Sequence, residues 1–133
     1  SKGAIPYSVT SEYTAQARQI LGPEAWLCVE QKVCLTNSES EARNVARNQM
    51  GRYLRWPNYI NNWKRMGFKE ADLEGHGSSS FLDAMVCWGS EKRIMSCLEE
   101  HFNSGADHVV VQALKPDGGK GPDFSVLQEL APT

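Results

Sequence analysis

The chain has no run of roughly eighteen apolar residues, the length a helix needs to cross a bilayer. It also lacks an excess of either charge: 14 basic against 16 acidic residues leave a formal net charge of -2. Such a balance offers no basic surface to attract a nucleic acid backbone and no charged tail. Neither nucleic acid nor a membrane is therefore an expected partner. The opening residues SKGAIPYSVT do not show the charged, apolar and small-residue succession of a signal peptide, so a soluble, non-secreted protein is expected. No C-x-x-C pair occurs among Cys28, Cys34, Cys87 and Cys97, which removes the common zinc and thioredoxin spacings, and no metal site is expected. Cys28 and Cys34 fall on one face of a predicted strand about 20 Å apart at the usual rise, too far to share a metal or a disulfide. Free thiols suit a reducing cytoplasm. No repeat at a fixed period is present.

What is present is a chain of 133 residues, 41% hydrophobic, which suits one domain over residues 1–133 with a single core. Gly3 to Val9 reads as a strand with Pro6 at an irregular or edge position. Thr10 or Ser11 can cap the following helix, whose stripe of Tyr13, Ala17, Ile20 and Leu21 ends at Gly22 and Pro23. WLCVEQKVCL, residues 26–35, reads as a covered strand. Asn37 or Ser38, with Glu41, forms a capping box before a helix bearing Ala42, Val45, Ala46, Met50, Tyr53 and Leu54. Pro57 breaks that helix, and a second helix over about 58–66 ends at Gly67. EADLEGHGSSS reads as a loop with room for one turn at 71–73. Ser79 or Ser80 then caps a helix closing at Trp88 and Gly89, Ser90 starts another that Gly105 stops, and HVVVQAL is a buried-type strand. The tail holds the loop KPDGGKG and a short helix over 124–130.

The fold expected is α/β, a partial (half) TIM-type (β/α) barrel with about three to four parallel strands and extra helices. A closed barrel of eight βα units usually takes ~250 residues, about twice this chain.

ARQILGPEAWLCVEQKVCLT, the block ARNVARNQMGRYLRWPNYINNWKRMGFKEADLEGHGS, FLDAMVCWGS and EHFNSGADHVVVQAL resemble the C-terminal half of the luciferase-like monooxygenase superfamily. Within it, the chain is most similar to the probable oxidoreductases dependent on the deazaflavin coenzyme F-420. The resemblance implies a (β/α)8 ancestry, hydride transfer to or from F-420 or FMN, and an N-terminal half of the barrel as the natural complement. It departs from similar sequences at Ser78, Ser79, Ser80 and Phe81, where an acidic and a basic residue usually follow the glycines, and near Pro6 and Tyr7, where a histidine is expected. The other function class considered is a non-catalytic, truncated half-barrel that self-associates as a homo-oligomer.

Barrel active sites gather at the C-terminal ends of the strands. Ser8, Thr10 and Ser11 after the first strand, and Lys115, Gly118, Gly119 and Lys120 after the last, are the expected coenzyme contacts. The glycine-lysine loop has amides and ammonium groups for a phosphate, although it lacks the P-loop spacing. Glu30 and Lys32, two residues apart on one strand face, suit acid-base work or a polar substrate, or else an internal ion pair or an outward face in contact with helix ends. Tyr59, Trp63, Phe68 and His76 are candidate substrate or interface residues, the aromatics above all in a contact between chains. Cys97 and His101, at i and i+4, are read as a buried thiol beside a core histidine rather than as metal ligands.

Overall fold

The structure is a computed structural model and describes residues 2–132. Strand β2 (Trp26–Leu35) organises it. Its β-branched and apolar sequence is interrupted only at Glu30, Gln31 and Lys32, and the whole stretch from Leu27 to Cys34 is buried, as befits a strand covered on both faces. All its partners are parallel: β1 (Gly3–Ala4) pairs with Trp26 and Leu27, β4 (His108–Ala113) with Cys28 to Val33, and β3 (Val86–Gly89) with Lys32 to Leu35.

Backbone groups of successive strand residues point to opposite edges. Trp26 and Glu30 donate to Lys2 O and Pro6 O, whereas the carbonyls of Leu27 and Val33 accept from Asp107 and Leu114. β1 and β4 therefore flank β2 on opposite edges. β3 overlaps the β4 register at Lys32 and Val33, so it shares the β1 edge farther along. The result is mixed α/β: a small open sheet of parallel strands with several helices.

Side chains of even-numbered β2 residues face one side of the sheet and odd-numbered ones the other. On the odd side, Val29 and Val33 meet α1 (Ser11–Leu21), α6 (Glu91–Asn103) and α7 (Phe124–Leu130) through clusters containing Ile94, Leu98 and Val126. On the even side, Cys34 joins a larger cluster built by α2 (Glu39–Met50), a 3-10 turn (Tyr53–Arg55), α3 (Pro57–Arg65), α4 (Glu70–Leu73) and α5 (Ser79–Met85). Arg18 ties the strand entrances together, donating to the carbonyls of Gly22, Ala25 and Gly105 and to Asp107, whose carboxylate also takes the Leu27 N–H.

Four local expectations are corrected. The first strand stops at Ala4 rather than Val9, because Pro6 has no N–H for the ladder and Ser8 turns to φ 53 to aim its own N–H at Glu30. The long helix ends at Met50, and Tyr53 and Leu54 belong to the 3-10 turn that leads to extended Trp56 before Pro57. Residues Val86 to Gly89 form a strand instead of a helix end, since β2 offers them an unfilled edge and their β-branched and aromatic side chains suit it. The cap of α5 is Ser78, not Ser79 or Ser80: its hydroxyl accepts the Phe81 N–H and donates to Asp72. The capping box is also indirect. Ser38 caps α2, but Glu41 reaches Thr36, whose hydroxyl oxygen holds the Ser38 N–H.

Candidate functional site

The even face of β2 carries the densest buried polar group of the molecule. Glu30 and Lys32 must share that face because they are two residues apart on a strand, and both are only 3% exposed. Lys32 Nζ donates to Glu30 Oε1 at 3.0 Å and Oε2 at 3.1 Å and to Ser8 Oγ at 2.9 Å. Ser8 closes the group from the end of the first strand: its N–H donates to Glu30 Oε2 at 3.1 Å, and its carbonyl accepts from Trp63 Nε1 at 3.0 Å. Ser8 has the only positive φ of any non-glycine residue among those described. A serine held left-handed is strained unless several bonds over-determine it, and here its N–H, hydroxyl and carbonyl are all engaged.

Above the cluster lies a cleft of about 250 Å³ lined by Tyr7, Ser8, Lys32, Tyr53, Tyr59 and Gln112. The Lys32 ammonium sits 5.7 Å from the centre of the Tyr53 ring, within cation–π range. Tyr53, Tyr59, Trp63, Phe81 and Phe68 continue as a chain of tilted and edge-to-face ring pairs, the preferred aromatic geometries. Of the aromatic block after Pro57, Tyr59 lines the cleft itself, and Trp63 and Phe68 extend the ring chain into the core.

Gln112 also lines a second cavity, of about 540 Å³, with Arg52, Lys115, Gly118, Gly119 and Lys120. That cavity sits at the C-terminal end of β4, and the shared Gln112 makes the two neighbours. Within the loop, Gly118 N–H is taken by Lys115 O and Gly119 N–H by Asp117. An anion there would be met by Arg52, Lys115 and Lys120 side chains rather than by those amides.

The candidate residues thus divide. Ser8, Glu30, Tyr59 and Trp63 come together; Lys115, Gly118, Gly119 and Lys120 form the adjoining cavity. Thr10 and Ser11 do not join them. Thr10 caps α1, and both residues line a separate cavity between α1, α5 and α6. His76 is exposed in the α4–α5 connection, outside both cavities. Trp63 is buried in the core of its own chain and Phe68 is partly buried against that core; Trp56, 60% exposed, is the ring of that block left most on the surface. Sequence reading missed Tyr53, Gln112 and Arg52. Gln112 interrupts the apolar run of β4, but only its in-register pairing with Lys32 places it at the cleft.

No protein-family model and no curated protein matches the chain. Among the described residues no group of three His, Cys, Asp or Glu side chains is placed to hold a metal, and no helix is long and apolar enough to cross a membrane.

The odd face of β2 carries a second polar chain. Gln31 gives its amide hydrogens to Lys32 O and Met85 O, leaving its oxygen to accept from His101 Nε2 at 2.8 Å. That places a proton on Nε2, while Nδ1 lies 3.0 Å from the Thr14 hydroxyl, which also reaches Thr10 O at 3.3 Å. Burial lowers the His101 pKa below 6.5, against the upward pull of Glu12 and Glu30. The unfolded state then binds the extra proton, so stability is fully present above about pH 6.5 and declines as pH falls through the folded-state value. Urea midpoints measured from about pH 7.5 to 5.5 should fall in the native chain and stay flatter in His101→Gln; equal slopes would remove His101 as the source.

Proposed function

We propose that the chain is the C-terminal, half-barrel part of a luciferase-like oxidoreductase that transfers hydride with deazaflavin F-420 or FMN. The observation that carries this reading is the joining, at Gln112, of a tyrosine-lined cleft over Lys32, Glu30 and Ser8 to a cationic cavity at the end of β4. A coenzyme of this class needs an aromatic wall for its ring and cations for its phosphates. Tyr7, Tyr53 and Tyr59 suit the first; Arg52, Lys115 and Lys120 suit the second. Taken together, the neighbouring cavities of about 250 and 540 Å³ fall within the ~300–1,000 Å³ usual for cofactor sites. The coenzyme, when bound, supplies the redox chemistry. The chain's own share is to hold the phosphates, stack the ring and present the Lys32 ammonium, fixed by Glu30 and Ser8, to a polar oxygen of coenzyme or substrate.

The parallel pairing of every strand with β2 suits a barrel origin, while β3, set on the β1 edge, departs from the consecutive strand order of a barrel. The even face of β4 remains uncovered: Val110 is 44% exposed, and His108 and Gln112 are exposed beside it. The N-terminal half of such a barrel, or a second copy, would cover that face and complete the ring pocket.

Titration with F-420 and with FMN, followed by coenzyme absorbance, tests the reading. Saturable binding by the native chain, weakened at least about tenfold in Lys115→Ala/Lys120→Ala through the loss of charge-assisted bonds, is expected. Binding of neither coenzyme, together with a native mass of two or more chains, would overturn it in favour of a non-catalytic, self-associating module. The exposed Ile5, Tyr7, Trp26 and Val110 favour that second reading.

A further inference from the structure

Cys87 and Cys97 carry no motif spacing, yet the fold brings them together on the odd, helix-covered side of the sheet, away from the cleft above Lys32. β3 runs through Gly89 and Ser90 directly into α6, and the helix packs back across the strand. Cys87 Sγ lies 3.9 Å from Arg93 O. In an α-helix that carbonyl is the acceptor for the N–H four residues on, which belongs to Cys97. The Cys87 sulfur therefore sits beside the turn that carries Cys97, and Cys97 packs against the same core cluster that contains Cys87.

The pair is asymmetric. Cys87 is 3% exposed inside the α6 core cluster. Cys97 is partly exposed and lines a cavity of about 550 Å³ with Thr10, Arg93, Ser96, Glu100 and His101, so a small molecule can reach its sulfur. His101 is not its partner, because both ring nitrogens are engaged by Thr14 and Gln31.

We propose that Cys97 and Cys87 are a peroxide-reactive pair, with Cys97 the sulfur attacked first and Cys87 the resolving thiol. The Cys97 sulfur attacks one oxygen of a hydroperoxide, the O–O bond breaks, and the departing oxygen takes up a proton to leave as water or an alcohol. Cys97 becomes a sulfenic acid. The Cys87 sulfur then displaces that hydroxyl; its thiol proton leaves with the oxygen as water, and a disulfide joins β3 to α6. Two thiols are oxidised by two electrons and one peroxide is reduced.

The electrostatics fit these roles. The neighbouring Cys87 thiol holds the Cys97 thiol below the ordinary range, against burial and Glu100 and with help from Arg93, while Cys87 is pushed up and keeps its proton. Cys34 is an internal reference: burial first, then Glu41 and Asp123, pushes its thiol up to about 11.

The probe is hydrogen peroxide on the native chain at neutral pH, followed by alkylation under denaturing conditions and peptide mass spectrometry. The expected product is a Cys87–Cys97 cross-linked peptide with two hydrogens fewer, while Cys34 stays alkylatable. In Cys87→Ser, the Cys97 sulfenic acid should persist and be trapped by dimedone; in Cys97→Ser, neither cross-link nor trapped Cys87 should form. Without peroxide, native-state iodoacetamide should label Cys97 at least about tenfold faster than Cys34. A native chain in which Cys97 passes to sulfinic or sulfonic acid with Cys87 still free, pairs with Cys28 or Cys34, or is not oxidised at all would overturn the proposal. These readouts on the native chain stand even if a serine variant fails to fold, and all are independent of coenzyme binding.

Discussion

Replacing Lys32 with methionine should lower the unfolding free energy by about 3–5 kcal/mol, the usual cost of leaving one partner of a buried ion pair behind. The substitution keeps most of the unbranched side chain and removes three hydrogen bonds, leaving Glu30 with a side chain only 4% exposed and no cation. It also leaves Ser8 held left-handed with its hydroxyl unbound, so the strain there loses one of the contacts that offset it. Adding Glu30→Gln should recover most of the loss, because a neutral amide costs much less to bury than a lone carboxylate. Urea unfolding of the native chain, both single variants and the double variant closes a cycle that isolates the coupling. A loss under about 1 kcal/mol for Lys32→Met would mean that water screens the pair as at a surface.

Trp63 is the second residue with a large expected effect. It is 1% exposed, tilted against Tyr59 and edge-to-face with Phe81, and it is the donor to Ser8 O. Trp63→Ala removes an indole from a closed core and should cost about 3–5 kcal/mol. Trp63→Phe retains most of the packing but abandons a buried carbonyl, for about 1–3 kcal/mol. The same phenylalanine variant should also weaken coenzyme binding, since Ser8 then loses an anchor beneath the cleft. Thermal unfolding paired with the coenzyme titration separates these effects. Equal costs for Ala and Phe would place the energy in the hydrogen bond instead of the packing.

The further proposal at Cys87 and Cys97 joins these two as a consequence of tertiary placement. Nothing in a spacing of ten residues marks a thiol pair. Only the turn of α6 back over β3 makes one, just as only the β2–β4 register makes Gln112 a neighbour of Lys32.

Much of the local structure was legible in the amino acids. Periodicity and caps announced β2, β4, α1, α3 and α6, because helix and strand periods and Ser or Thr caps act within a few residues of one another. The shared face of Glu30 and Lys32 followed from strand alternation alone. The strand at Val86–Gly89 was not legible, since four residues without an alternating partner read equally well as a helix end until an edge of β2 is in place. Nor was the division of Ser8 from Thr10 and Ser11. They are two or three residues apart in the chain, but the left-handed turn at Ser8 sends it under the sheet while Thr10 starts α1 on the other side.

By itself, then, the sequence determined most element types, the shared strand face of Glu30 and Lys32 and a near balance of charge, all properties of near neighbours and composition. Tertiary structure alone decided which polar groups meet. Hydrogen bonds and ion pairs between residues 22 to 89 positions apart depend on strand register and helix packing, which no local window contains.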